Sequence, residues 1–159
     1  MIVPSSNLDL PPAELTHVAY VTDAFDQAVA MLRRRHQLPE FRDLGPFTRS
    51  FEPGGLTSLR VGFAGAGPIQ IEVIQPLSGF IDHYHLAPEG RPGSVRFHHL
   101  GYRVSSLADL DRFRHDLDAN DFPVVMGGKP GEPMHFLYAD TRAALGHYLE
   151  YVVADPSVA

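Results

Sequence analysis

Four residues make the most chemically suggestive pattern in this sequence: His17, Glu72, His99 and Glu150. Each histidine sits in a run rich in β-branched and aromatic residues, T-H-V-A-Y at 16–20 and H-H-L-G-Y at 98–102. Each glutamate sits in a similar run, I-E-V-I at 71–74 and L-E-Y-V at 149–152. The histidine runs are offset by 82 residues and the glutamate runs by 78. A glutamate between Ile71 and Val73 is unfavourable in a strand unless its face is wet or paired. One such residue alone reads as solvent-facing, and one strand histidine alone as structural. Two of each in repeat-matched order point to a metal site. Two imidazoles and two carboxylates suit Zn, Ni, Co, Mn or Fe(II) and disfavour Cu(I). An octahedral ion with four protein ligands keeps two positions for water or a bidentate substrate.

Composition narrows the same question. The chain has 159 residues, no cysteine and nine histidines. Disulfides, zinc–thiolate sites, Fe–S clusters and cysteine nucleophiles are therefore excluded. Any metal must be held by histidine and carboxylate. The net charge of −6 argues against broad nucleic-acid binding. The start, MIVPSSNLDLPP, has neither the basic nor the apolar region of a signal peptide. No apolar run approaches the roughly 18 residues of a membrane span. The expectation is a soluble, cytoplasmic domain that binds a small molecule, without membrane or nucleic-acid partners.

The elements that must position the quartet come next. Residues 1–13 read as an N-terminal arm. Residues 14–21 read as a strand. Phe25, Val29, Leu32 and His36 recur at helical spacing within 23–37, with Thr22 or Asp23 as N-cap and an end before Pro39. Strands are expected at 46–52, 57–63 and 68–75, between P-G-G and G-A-G-P turns. This is β-α-β-β-β over residues 14–75. Residues 76–94 form a linker, with a short helix expected around S-G-F-I-D-H-Y-H-L. Residues 95–154 repeat the order. A strand holds His99, and Ser106 with Asp109 opens a helix whose face is Leu107, Leu110, Phe113 and Leu117. Strands follow at about 122–127, 133–139 and 146–153, and 155–159 form a tail. Neither half buries enough core alone, so the two form one domain of α+β class.

The paired modules, the H-V-A-Y and H-H-L-G-Y openings, and the I-E-V-I-Q-P-L and G-H-Y-L-E-Y-V closings resemble the vicinal oxygen chelate superfamily. That superfamily includes glyoxalase I, methylmalonyl-CoA epimerase, extradiol dioxygenases and bleomycin-resistance proteins. The likeness spans about residues 14–153 and is nearest to the epimerase-like glyoxalase branch. It implies two tandem βαβββ modules forming an open, curled mixed sheet around a metal-binding cleft, in a homodimer. It implies one divalent ion held by His17, Glu72, His99 and Glu150. It further implies an isomerase, epimerase or lyase that stabilises an enediolate or enolate on a small oxygenated acid, thioester or adduct. Glu150 is the candidate proton shuttle, with Glu72 as second catalytic carboxylate. The epimerase pattern puts another acidic base on a middle strand of the first module. Here T-S-L-R-V-G-F-A, residues 57–64, offers only Arg60. Strict methylmalonyl-CoA epimerase activity is therefore not implied.

Side-chain alternation places other residues beside the quartet. Arg103 shares the His99 face and is expected to pair a substrate carboxylate. Gln70 and Tyr148 flank the glutamates and are expected to hydrogen-bond substrate. His98 is expected to face away from His99 as a structural residue. Met126, Met134 and Phe136 read as core. Two alternatives compete with the isomerase or lyase. An Fe(II) extradiol dioxygenase needs two histidines and one carboxylate, so a fourth ligand weakens it. A non-enzymatic drug-binding protein of the resistance type would line its groove with aromatics.

Overall fold

The run E-L-T-H-V-A-Y-V-T alternates between inward and outward side chains and forms strand β1, Glu14–Thr22. His17, Ala19 and Val21 are its buried face. The computed structural model describes residues 9–86, 91–129 and 131–153. After β1 come helix α1 (Phe25–His36) and strands β2 (Arg42–Glu52), β3 (Gly55–Ala66) and β4 (Ile69–Gly79). Then follow β5 (Val95–Val104), α2 (Leu107–Ala119), β6 (Val124–Gly128), β7 (Phe136–Ala139), α3 (Arg142–Leu145) and β8 (Tyr148–Val153). Most of the expected arm and all of the expected tail lie outside the described residues.

The sheet is mixed, in the order β1-β4-β3-β2-β6-β7-β8-β5, and it closes into a barrel. This corrects the open sheet expected from the resemblance. One seam is long: β1 and β5 pair antiparallel from Glu14↔Arg103 to Thr22↔Val95. The other is short, with Phe51↔Gly128 and Glu52↔Gly127 in register between β2 and β6. On the other side of β6, Gly128 lets the chain entering β7 pass close, because a Cβ there would lie 1.9 Å from the Met134 carbonyl oxygen. The parallel pairs β1–β4 and β5–β8 carry the quartet's strands side by side, with Ala19↔Glu72 and Gly101↔Glu150 in register.

Three apolar clusters hold the fold. The barrel interior packs Val21, Leu59, Val61, Ile74, Met126 and Phe136, among others. Outside, α1 seats Phe25, Ala28 and Leu32 on Val73. On the other side, α2 seats Leu110, Phe113 and Leu117 on Val104, Leu137 and Ala139. Leu107, expected on that face, is exposed. The Ser106 cap forms as expected, its Oγ accepting from Asp109 N at 3.1 Å. The α1 cap differs. Its N-cap is Ala24, and Gln75 Oε1 from β4 accepts from Phe25 N at 3.0 Å. Tertiary contact thus replaces the side-chain cap expected from Thr22 or Asp23. Two further differences concern short segments. Residues 80–86 make turns rather than a helix, because Tyr84 is drawn into the barrel core. The single-turn helix α3 was not expected, and Gly146 ends it in the left-handed region.

Loss of the Ser106 cap should lower stability by about 1 kcal/mol. Urea unfolding of Ser106→Ala measures this, with metal affinity expected to stay unchanged because the Ser106 side chain bonds only Asp109 N and none of the four quartet residues.

Candidate metal centre

The quartet meets inside the barrel. One ligand atom from each of His17, Glu72, His99 and Glu150 lies within 4.8 Å of the others. His17 Nε2 is 2.8 Å from Glu150 Oε2, 3.2 Å from Glu72 Oε2 and 3.2 Å from His99 Nε2. His99 Nε2 is 3.4 Å from both carboxylate oxygens. Atoms bound about 2.1 Å from one ion stand about 3.0 Å apart as octahedral neighbours, or about 3.4 Å apart in a tetrahedron. Glu72 Oε2 is also buried without a well-directed hydrogen bond. A convergent, under-satisfied N₂O₂ donor set of this spacing fits a divalent ion. These four residues would hold it.

Why the ring of His17 can stand where it does is a matter of one missing atom. A Cβ on Gly101 would lie 2.0 Å from His17 Cε1. Only glycine leaves room for this ring between β1 and β5.

Each histidine of the quartet follows a residue that breaks the ladder. Between Leu15↔Tyr102 and His17↔Gly101, Thr16 is the extra residue on β1. Between Ala19↔His99 and Tyr20↔Phe97, His98 is the extra residue on β5. A bulge re-aims the side chain of its extra residue. His98 therefore turns into the interior and is buried, which corrects the outward direction expected from strict alternation. Sequence reasoning missed Thr16 altogether, and no periodicity could have revealed either bulge.

These two residues set the proton positions on the histidines. A carbonyl can only accept, so His98 Nε2 carries the proton donated to His83 O at 3.0 Å. Burial, aided by the nearby His99 charge, pushes the His98 pKa well below its usual range, so its Nδ1 is bare. That nitrogen accepts from His99 Nδ1 at 2.8 Å. Thr16 works alike. Its hydroxyl donates to Gly101 O at 3.2 Å and accepts from His17 Nδ1 at 3.1 Å. Both quartet histidines thus keep Nδ1–H pointed outward from the cluster and present Nε2 to it. Ligating histidines commonly have this second partner.

Charge in the cluster is strongly coupled. Burial lowers the His17 pKa, but hydrogen bonds and charge from Glu150 and Glu72 outweigh it, raising it to about 10. His99 is raised for the same reasons. Burial raises the Glu150 pKa, yet hydrogen bonds from His17 and His99 bring it down to about 2. Burial raises the Glu72 pKa too, but the nearby imidazoles of His17 and His99 outweigh it and lower the pKa.

A cavity of about 350 Å³ opens beside the cluster, lined by His17, Glu72, Glu150 and a wall of apolar side chains. Met134 and Phe136, expected as core, belong to that wall. On β3 the wall is Leu59, Val61 and Phe63, so this strand offers no base. Arg60 points outward to Asp43 and Asp26. Three expected substrate contacts lie elsewhere. Arg103 pairs with Glu14 and does not line this cavity. Gln70 is exposed at the start of β4. Tyr148 is buried, stacks on His98 at 4.6 Å and bonds His85 Nε2 through its hydroxyl at 3.1 Å.

Two outcomes follow for the site. Thr16→Val and His98→Phe should each weaken divalent-metal binding by about 10–100-fold, read by competition with a chromophoric chelator. In the protein without metal, the raised His17 pKa stabilises fully below its ordinary 6.5, and that contribution disappears as pH rises through about 10. The lowered Glu150 pKa stabilises above its ordinary 4.5 and is lost as pH falls through about 2. Urea midpoints of the chelator-treated protein should therefore peak between pH 4.5 and 6.5.

Comparison with known proteins agrees with this architecture. No curated protein matches the sequence. Among solved structures, methylmalonyl-CoA epimerase from Mycobacterium tuberculosis is similar at a TM-score of 0.59 and 18% identity, over 99% of this chain and 95% of that one. Streptomyces coelicolor methylmalonyl-CoA epimerase, in complex with 2-nitronate-propionyl-CoA, is similar at a TM-score of 0.60 and 15% identity, over 93% and 97%. A halotolerant catechol dioxygenase is similar at 0.52 and 15%, over 97% of this chain but 47% of its own. At these identities the likeness is one of fold. Among the described residues no helix is long and apolar enough to cross a membrane. A family profile, the glyoxalase/bleomycin resistance protein/dioxygenase superfamily, matches residues 16–138, and the chain belongs to that superfamily.

Proposed function

We propose that this chain is a divalent-metal-dependent isomerase, epimerase or lyase acting on a small molecule with two vicinal oxygens. The observation that carries this reading is the convergence of two Nε2 and two carboxylate oxygens at the wall of a cavity. A bound divalent ion would supply Lewis-acid stabilisation of an oxyanion on the substrate. The chain's own residues supply the rest. Glu150 accepts the proton from the carbon beside the substrate carbonyl and returns it, and Glu72 is the second carboxylate within reach. Before an ion binds, pairing with His17 and His99 keeps both carboxylates ionised, the form that could ligate a cation. The apolar wall excludes water from the reacting carbon and strengthens each charge interaction inside.

A small-molecule binding protein without catalysis is the second reading, favoured by the aromatic lining of the cavity. The extradiol dioxygenase reading is weaker, because both glutamates of the quartet point into the cluster. The homodimer and the cytoplasmic location implied above remain part of the proposal.

Elemental analysis of the purified protein should find about one divalent ion per chain, lost in His99→Ala and Glu150→Ala. Full retention in both variants would overturn the site. Incubation of a cyclic or aryl α-hydroxyketone in D₂O should give deuterium at the carbon beside the carbonyl, and Glu150→Gln should abolish it. Ligand binding without exchange would favour the binding protein, and oxygen uptake with catechols the dioxygenase.

A further inference from the structure

The cavity differs sharply in character between its metal-site wall and the remainder. Its charged lining is confined to His17, Glu72 and Glu150. The rest is hydrocarbon and aromatic, apart from the hydroxyls of Tyr84 and Tyr138, which bond each other at 3.4 Å. Among the described residues no lysine or arginine lines it. Of the arginines on the neighbouring elements, Arg60 pairs with Asp43 and Asp26, Arg103 with Glu14 and Arg142 with Asp140, while Arg49 on β2 is exposed and does not line the cavity. A second charge held deep in the cavity, away from the chelating oxygens, would therefore meet no cationic partner among the described residues. That is strongly unfavourable.

The apolar lining is also rich in crossed aromatic rings. Phe51 meets Phe136 edge to face, with centroids 5.2 Å apart at 84°. Phe136 meets Tyr138 at 5.3 Å and 63°, and Phe63 meets the His17 ring at 6.2 Å and 88°. Such crossed rings offer both edges and faces to an aromatic guest. The volume, about 350 Å³, sits in the lower part of the roughly 300–1,000 Å³ range of small-molecule sites.

We propose that the site takes an uncharged, compact aromatic body carrying two vicinal oxygens, and rejects substrates with a charged group beyond the chelating pair. This rests on the metal reading above. The test uses matched chelators that share a hydroxamate head and differ only in the body. Acetohydroxamate carries a methyl group, benzohydroxamate a phenyl ring, and succinic monohydroxamate a carboxylate tail. Calorimetry is done on the zinc-loaded protein, with each chelator's affinity for free zinc as reference. After that reference is divided out, benzohydroxamate should bind about 10–100-fold tighter than acetohydroxamate. Succinic monohydroxamate should bind more weakly than acetohydroxamate. Met134 is 38% exposed, so Met134→Lys should fold normally. With a cation added to the lining, this variant should gain affinity for succinic monohydroxamate by severalfold. Equal affinity for the methyl and phenyl probes, or a tight carboxylate probe on the unaltered protein, overturns the inference while leaving the metal site intact. A protein that retains zinc on neither loading nor dialysis overturns the metal reading, and this inference with it.

Discussion

Two carboxylates and two imidazoles share one buried point, and the rest of the structure accommodates their charge. Burying a carboxylate alone would be prohibitive, so each must be balanced. Without metal the balance comes from protons on His17 and His99, whose pKa values are both raised. With a divalent ion and neutral imidazoles the sum of charges is the same. The cluster can exchange protons for a dication without a change in net buried charge. A singly charged ion would leave the site negative, so the chemistry selects divalent ions by balance as well as by donor type.

Balance alone does not place the atoms. Two bulges in the long β1–β5 seam put Thr16 and His98 beside the histidines that follow them. Each then uses its single proton on a carbonyl and leaves an acceptor for an Nδ1–H. The same device occurs once for each histidine, with different side chains. Gly101 completes it by giving the His17 ring the space that any Cβ would fill. The parallel pairs bring in the glutamates, because parallel register sets Glu72 beside Ala19 and Glu150 beside Gly101. The closed sheet makes these local settings rigid by leaving no free edge at the seam.

The quartet was legible because it is spread over two runs of similar sequence, so that chance explains one residue but not four. The strands and both long helices were legible from periodicity, and the Ser106 cap from its spacing. What escaped has a common cause. Alternation along a strand assumes a perfect ladder, and one extra residue reverses it. His98 was therefore assigned to the wrong face. Closure at Phe51↔Gly128 depends on long-range approach that no local pattern encodes. The α1 cap came from Gln75, fifty residues away in sequence, for the same reason. Arg103 was placed on the correct face of its strand, but a face does not say how near the cavity a residue lies or that Glu14 holds it.

The cavity itself illustrates a deeper ambiguity. Phe136 and Met134 read as core because apolar side chains on a buried face usually meet a facing layer. Inside this barrel the facing layer is incomplete. The side chains of β2, β3 and β4 stop short of those on β7 and β8, and the remaining space adjoins the cluster. Composition cannot distinguish a filled interior from a lined one, since both require the same residue types. The difference matters for reactivity. A filled barrel would leave Glu72 and Glu150 as a buried ion cluster with only structural consequences. A lined one would, under the proposed function, give the same carboxylates an apolar-walled reaction space, where a developing oxyanion would interact more strongly with fixed charges than in open water. On the proposed function the apolar wall is as much part of the site's chemistry as the four donor residues, because it sets how strongly their charges act.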